Sequence, residues 1–363
     1  MSVNCRGLSL MSGGLDSQLA IRVLERAGAY VEAVAFATPF FDNSKARAAA
    51  EALGVKLHVI DFLEDEISLI ENPPHGFGGA TNPCIDCHAL MIRRAGELMA
   101  KLGYDFVATG EVRGQRPMSQ NAQSLVTVEK ASGLKGRLVR PLSAKLLEPT
   151  VPELEGKLDR EKLLDISGRS RDRQIALAAE FGIVDYPSPA GGCKLTEDAF
   201  GRKLRDLMEH EGLRVREGAE WEGRETSDGR HEGEDVRHET GAVNRVLVEL
   251  LLVGRRFRLP DGSSVILGRD GKENAKLREV AKLMEGSPSA HATRMSHPLY
   301  VAQPKKTRHY QLVTPPAGFV GPTALIPELR SDADFELAKG IVRAWCRGTT
   351  EPDRAPFKKF QLT

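Results

Sequence analysis

The chain has no apolar run near the ~20 residues that a membrane-crossing helix needs. Its first residues, 1–14, lack the basic-then-apolar pattern of a signal peptide. Five cysteines among 363 residues are too few for a disulfide scaffold. There is no charge excess either. Lys+Arg 51 against Asp+Glu 50 leaves a formal net charge of +1. Bulk charge therefore argues neither for nor against a nucleic-acid partner, and only local clustering can do so. No internal repeat is present. These absences point to a cytoplasmic protein without membrane contact, where paired cysteines serve as ligands or catalysts. The composition, 41% hydrophobic and 28% charged, is that of an ordinary globular chain with two or three domains. Monomer and homodimer both stay open.

Apolar patterning sets the organisation. Residues 6–12 and 30–37 read as buried strands, as do 56–60 and 104–109. Between them, 18–24, 44–53 and 88–102 have helical spacing. This alternation predicts an α/β fold, a doubly wound and mainly parallel sheet with helices on both faces. Residues 71–82, rich in Gly and Pro, read as a loop. Two helical stretches follow within 154–183, so the first domain with its helical extension is placed at 1–205. Residues 206–240 have few large aliphatics and read as a charged linker. A smaller α+β domain is expected over 241–335, with a helix and tail over 336–363. Its centre is Asp261-Gly262 between two alternating runs, a hairpin signal.

Ser12-Gly13-Gly14-Leu15-Asp16-Ser17 lies where the first strand passes into the first helix. Glycines allow a sharp turn and close backbone approach. The first amides of a helix have no intrahelical acceptor, and the helix dipole favours an anion there. There is no Walker-type lysine, so this is not that kind of phosphate loop. The segment closely resembles the SGGxDS signature of the PP-loop family, adenine nucleotide alpha hydrolase-like enzymes that cleave ATP between the α and β phosphates. The resemblance implies that Ser12, Gly13, Gly14 and Ser17 hold the β and γ phosphates. It gives Asp16 the helix start or the Mg2+ shell, and puts adenine at Phe36, largely on backbone groups.

Cys84-Ile85-Asp86-Cys87 opens a helix, and Cys193 follows Gly191-Gly192 far along the chain. A C-x-x-C alone fits a zinc knuckle, a redox pair or two buried thiols. Three thiols with no evident fourth ligand suit an iron–sulfur cluster with one open iron. Sulfur-inserting PP-loop enzymes have cysteines in this order. The resemblance thus implies a [4Fe-4S] cluster on Cys84, Cys87 and Cys193, with zinc or a persulfide pair as alternatives. Asp86, between two of them, is a candidate acid or base, or simply a helix-start carboxylate. Cys5 and Cys346 have no such setting.

Thr109-Gly110-Glu111-Val112-Arg113-Gly114-Gln115 and Ser119-Gln120 resemble a segment of the ThiI family, with three residues between G-Q and S-Q in place of two. That resemblance spans about Arg6 to Leu204 and assigns Gly110 and Glu111 to the ATP site. ThiI proteins carry an RNA-binding module ahead of this domain, and none is expected before residue 12. The C-terminal domain, through Pro260-Asp261-Gly262, 265–269 and 273–277, resembles the RNA-binding domain of NFACT proteins. Arg255, Arg256, Arg258, Arg269 and Lys272 are dense there, as are Lys305, Lys306 and Arg308 further on. Such groups can neutralise phosphates. Together these features predict a tRNA sulfurtransferase that converts ATP to AMP and pyrophosphate. A uridine carbonyl is adenylated and its oxygen replaced by sulfur, giving 4-thiouridine, with sulfide or a cysteine desulfurase as donor. The alternatives are another adenylating PP-loop enzyme, such as an amidating synthetase or a 2-thiouridine-type persulfide thiolase, or a non-catalytic, zinc-stabilised RNA-binding factor.

Overall fold

The computed structural model describes residues 5–41, 43–78, 80–116, 119–187, 193–214, 243–285 and 310–362, without the side chains of 283–285. It divides into two compact units, Met1–Thr196 and Glu197–Thr363.

The first unit is built on a five-stranded sheet of β1 (Arg6–Leu10), β2 (Tyr30–Ala37), β3 (Leu57–Asp61), β4 (Phe106–Ala108) and β5 (Leu138–Val139), in the order β3-β2-β1-β4-β5. Each pairing is parallel. The crossovers include α1 (Leu15–Arg26), α2 (Ser44–Leu53), α3 (Leu63–Glu71), α4 (Cys84–Leu102) and α5 (Ala122–Ser132), and α6 (Val151–Leu154) and α7 (Asp172–Glu180) come after β5. Side-chain alternation along each strand explains why both faces need cover. Val31, Ala33 and Ala35 join one apolar cluster with Leu15, Leu19, Ala49 and Ala178. Val34 and Phe36 join the other with Ile92, Met99 and Val128. The unit is thus a mixed α/β domain on a parallel sheet.

This strand order places a topological switch between β1 and β4. The chain winds one way from β1 and the other way from β4, so a crevice opens at their carboxyl ends. The phosphate loop leaves β1 there, and Thr109-Gly110-Glu111 leaves β4 beside it.

The second unit begins with α8 (Asp198–His210), so this helix lies outside the first unit's sheet. Further elements are α9 (Arg245–Leu250), β6 (Arg255–Arg258), β7 (Ser264–Leu267), α10 (Gly271–Glu285), β8 (Gln311–Val313), β9 (Ala324–Ile326), α11 (Asp332–Ala344), α12 (Glu351–Lys358) and β10 (Gln361–Leu362). Its sheet runs β10-β6-β7-β9-β8, and its pairings are antiparallel. The hairpin forms between β6 and β7, with Gly262 at φ 91°, a backbone region suited to glycine. This unit is the smaller α+β region. Of the expected linker, residues 206–210 belong to α8 and 215–240 lie outside the described residues.

Candidate active site

The phosphate loop owes its shape to close packing. Gly13 has φ 79°, and a Cβ there would lie 2.4 Å from the Lys45 carbonyl carbon. Gly14 is the extended N-cap of α1, with no side-chain cap bond. The amides of the first turn therefore keep the anion-accepting character of a bare helix start. The Ser17 hydroxyl donates to the Gly14 carbonyl at 2.8 Å, and the Gly14 amide donates to Ser12 Oγ at 3.3 Å. Gln18 Nε2 donates to the carbonyls of both Gly13 and Asp185, each at 3.1 Å, tying the loop to the chain that leads toward Cys193.

From the β4 side, Gly110 presses on the start of α1. A Cβ there would meet the Asp16 carbonyl carbon and oxygen at 2.6 Å, so only glycine lets the two loops close up. Glu111 is buried and accepts from Arg140 Nε at 2.9 Å and Thr109 Oγ1 at 3.0 Å, with His88 Nδ1 at 3.2 Å. Burial pushes its carboxyl up, but the His88 hydrogen bond and the Arg140 charge outweigh this and hold the pKa at about 2. Glu111 is thus an ionised strut that binds α4 to the ends of β4 and β5. The Phe36 side chain packs in the core, its ring 5.0 Å from that of Phe62.

Asp16 accepts from Gln115 Nε2 at 2.8 Å, while its second oxygen, Oδ1, is buried with no protein partner. Gln115 Oε1 in turn accepts from Gln174 Nε2 at 3.1 Å. A carboxylate oxygen left open beside the phosphate turn fits a divalent cation accompanying a nucleotide. The glycine cradle fits a phosphate chain.

The C-x-x-C forms the first turn of α4. Asp86 is buried, not a solvated helix-start carboxylate. It takes the His75 amide at 2.9 Å and His75 Nδ1 at 2.5 Å, which holds the Gly/Pro-rich loop against α4. Cys193 lies in a segment tied to both sides of the site, because Lys194 N donates to the Phe40 carbonyl and Thr81 N to that of Leu195. Burial pushes the Cys87 thiol well up, and Glu66, Cys193, Cys84 and Asp86 push it the same way. All three cysteines therefore share one electrostatic neighbourhood. Burial also raises Cys84, against a lowering influence of Arg116. None of the five cysteines is in a disulfide. Among the described residues, however, no three His, Cys, Asp or Glu side chains converge as a metal site. As placed, Cys84, Cys87 and Cys193 fit neither the expected [4Fe-4S] cluster nor a zinc ion. Cys87 is buried, while Cys84 and Cys193 are half-exposed.

Glu66 escaped the sequence reading. It is fully buried on α3, and neither oxygen has a hydrogen bond of normal geometry. Burial raises its pKa to about 8, and nearby Thr38 lowers it only in part. The signal was available, because Glu66 falls on the apolar face made by Leu63, Ile67 and Ile70. Gln174, which is fully buried, gave no comparable signal.

In the second unit the basic residues divide. Arg256 is 1% exposed and pairs with Asp206 and Glu211. Arg258 pairs with the same two carboxylates, at 2.6 and 2.9 Å. These two arginines hold α8 to the sheet. Arg255 is half-buried, Arg269 is paired to Glu273 on the surface, and Lys272 is exposed. Lys305, Lys306 and Arg308 lie outside the described residues. No helix among the described residues is long and apolar enough to cross a membrane.

Fold and loop together define a parallel α/β domain with an anion-accepting turn at its switch point. Residues 2–145 match the family described as thiamine biosynthesis protein (ThiI). The tRNA-specific 2-thiouridylase MnmA of Sulfurimonas denitrificans is 36% identical over 112 residues, covering 28% of this chain and 32% of that protein. MnmA of Marinobacter nauticus is 30% identical over 141 residues, covering 35% and 34%. A probable tRNA sulfurtransferase of Caldanaerobacter subterraneus is 25% identical over 186 residues, covering 49% and 43%. Residues 2–145 of the first unit are thus similar to part of the ThiI and MnmA proteins. The chain spans only 32–43% of the length of these three relatives.

Proposed function

We propose that this protein thiolates tRNA at the expense of ATP. The observation that carries the reading is the glycine-framed loop at the switch point, with Asp16 Oδ1 left open and three cysteines gathered near α4. The similarity to tRNA sulfurtransferases and thiouridylases supports the substrate.

ATP would lie with its β and γ phosphates on the Ser12–Ser17 turn, where amides and the helix dipole stabilise their charge. Asp16 Oδ1 would hold Mg2+, which supplies charge neutralisation on the phosphates. A uridine carbonyl oxygen attacks the α phosphorus and pyrophosphate leaves. The oxygen, a poor leaving group, thereby becomes part of AMP. Hydrosulfide sulfur then attacks the activated carbon, AMP departs, and thiouridine remains, as 4-thiouridine in this reading. The protein's contribution to the first step is positioning and electrostatics. Cys84, Cys87 and Cys193 would handle the sulfur, delivered as free sulfide or by a cysteine desulfurase. No step is routed through a metal cluster. The lack of a converged ligand set among the described residues favours a second reading, in which one cysteine takes sulfane sulfur from a desulfurase persulfide and a second displaces it as hydrosulfide, leaving a disulfide that an external thiol reduces. Arg255, Arg269 and Lys272 of the second unit, with Lys305, Lys306 and Arg308, would contact tRNA phosphates.

The test is anaerobic incubation with tRNA, ATP, Mg2+ and sulfide, followed by nucleoside mass spectrometry and chromatography. A new thiouridine with tRNA-dependent pyrophosphate release, both lost in Asp16→Ala, is the expected result. Retention time separates 4-thiouridine from 2-thiouridine. Pyrophosphate without thiolation reassigns the chain to another adenylating reaction, and intact ATP overturns the proposal.

A further inference from the structure

Behind the phosphate loop lies a pair of linked amides, Gln174 buried and Gln115 half-buried, that no part of the reaction above requires. Gln174 Nε2 donates to Gln115 Oε1 at 3.1 Å, and Gln115 Nε2 donates to Asp16 Oδ2 at 2.8 Å. Gln174 is fully buried on α7, distant in sequence from the loop it reaches. We propose that Gln174 is a positioning residue: acting through Gln115, it fixes the Asp16 carboxylate so that Oδ1 is the oxygen offered to the divalent cation of a bound nucleotide. This rests on the ATP reading above.

The direction of the chain is forced by chemistry. An ionised carboxylate only accepts hydrogen bonds. Gln115 must therefore present its NH2 group to Asp16, which turns its carbonyl toward α7. That carbonyl needs a donor, and Gln174 supplies one. The arrangement has one low-energy sense, and Gln174 completes it by supplying that donor, its own Oε1 being buried without a hydrogen-bond partner. The result is visible at Asp16: one oxygen is occupied by Gln115, and the other is buried and unpartnered. Gly110 fixes the backbone of the same residue, so Asp16 is held from both sides.

Gln174→Glu inverts the logic with almost no change of shape. In a titration at about pH 9, above the raised pKa that burial gives a carboxyl such as that of Glu66, Gln115 would then stand between two carboxylates with one oxygen and one NH2 group. Whichever way it turns, its oxygen faces an acceptor. Asp16 either loses its hydrogen bond or keeps it against a repulsion at α7. A hydrogen bond to a charged group is worth about 1.5–3 kcal/mol, so the affinity for ATP with Mg2+ should fall by about tenfold to a hundredfold. The neutral Gln174→Met removes the donor without adding charge and should cause a smaller loss of the same kind.

The experiment is calorimetric titration of the full chain with ATP, once with Mg2+ and once in EDTA, with a thermal melt of each variant. Asp16 Oδ1 matters only to the cation, so the loss in Gln174→Glu is expected in the Mg2+ arm and not in the EDTA arm. Equal weakening in both arms means a merely structural role and overturns the inference. Wild-type affinity in both arms overturns it as well. Should Gln174→Glu fail to fold, Gln174→Met decides on the same criterion, a Mg2+-selective loss. A wild-type chain that does not bind ATP at all removes the ATP reading itself, a failure distinct from that of the relay.

Discussion

Glu66 offers a measurement of the protein interior beside Cys87. Its carboxyl is fully buried without normal hydrogen bonds, and burial raises its pKa from 4.5 to about 8. The folded protein therefore keeps a proton there that the unfolded chain releases above pH 4.5. Between these two pKa values the native state binds more protons, so stability falls as pH rises. The contribution is fully present below pH 4.5 and is lost progressively up to about pH 8. Integrating the linkage from pH 5 to 8.5 gives a loss on the order of 4 kcal/mol. Gln has the same shape and cannot ionise. The assay is urea unfolding of wild type and Glu66→Gln at pH 5, 7 and 8.5. Subtracting one from the other cancels every group they share. The Gln variant is expected to gain on wild type by about 2 kcal/mol or more between pH 5 and 7, and further by pH 8.5. A difference that stays constant over this range refutes the reasoning, because it would mean that Glu66 is ionised or solvated in the native state.

Two further outcomes are expected. Gly110→Ala sets a Cβ 2.6 Å from the Asp16 backbone carbonyl. Backbone on both sides leaves little to give, so a loss of about 1–3 kcal/mol is expected from overpacking, together with lost ATP binding, checked by thermal melting and calorimetry. Asp206→Asn leaves Arg256 and Arg258 with Glu211 as the remaining member of their carboxylate pair. Removing one partner of a buried ion pair typically costs about 3–5 kcal/mol, and the remaining Glu211 should hold the loss near the lower end. Scanning calorimetry of the full chain reads this, and an unchanged unfolding transition would contradict the buried-cluster assignment.

The amino-acid sequence by itself determined what is local. Strand–helix alternation specified the parallel sheet, because each element carries its own period. The turn from Ser12 to Ser17 was legible because its glycines, its helix start and its place after β1 lie within a few residues of one another. The Asp261-Gly262 hairpin was legible for the same reason. What the tertiary structure decided are pairings across long separations. Arg256 and Arg258 look like a basic surface in sequence, but their partners Asp206 and Glu211 lie 45 to 52 residues away, so only the packing of α8 shows their charge neutralised. Glu66 escaped the sequence reading although it is an acid on an apolar helix face, and that Cys87 lies near it is not a local feature at all. Gln174 meets Gln115 across 59 residues, and Gln115 meets Asp16 across 99. No local pattern encodes such contacts, because a buried polar group is defined by what folds over it. The three cysteines show both sides of this. Their residue types and order marked a shared chemistry, but whether three thiols meet as metal ligands depends on where α4 and the chain before α8 bring them.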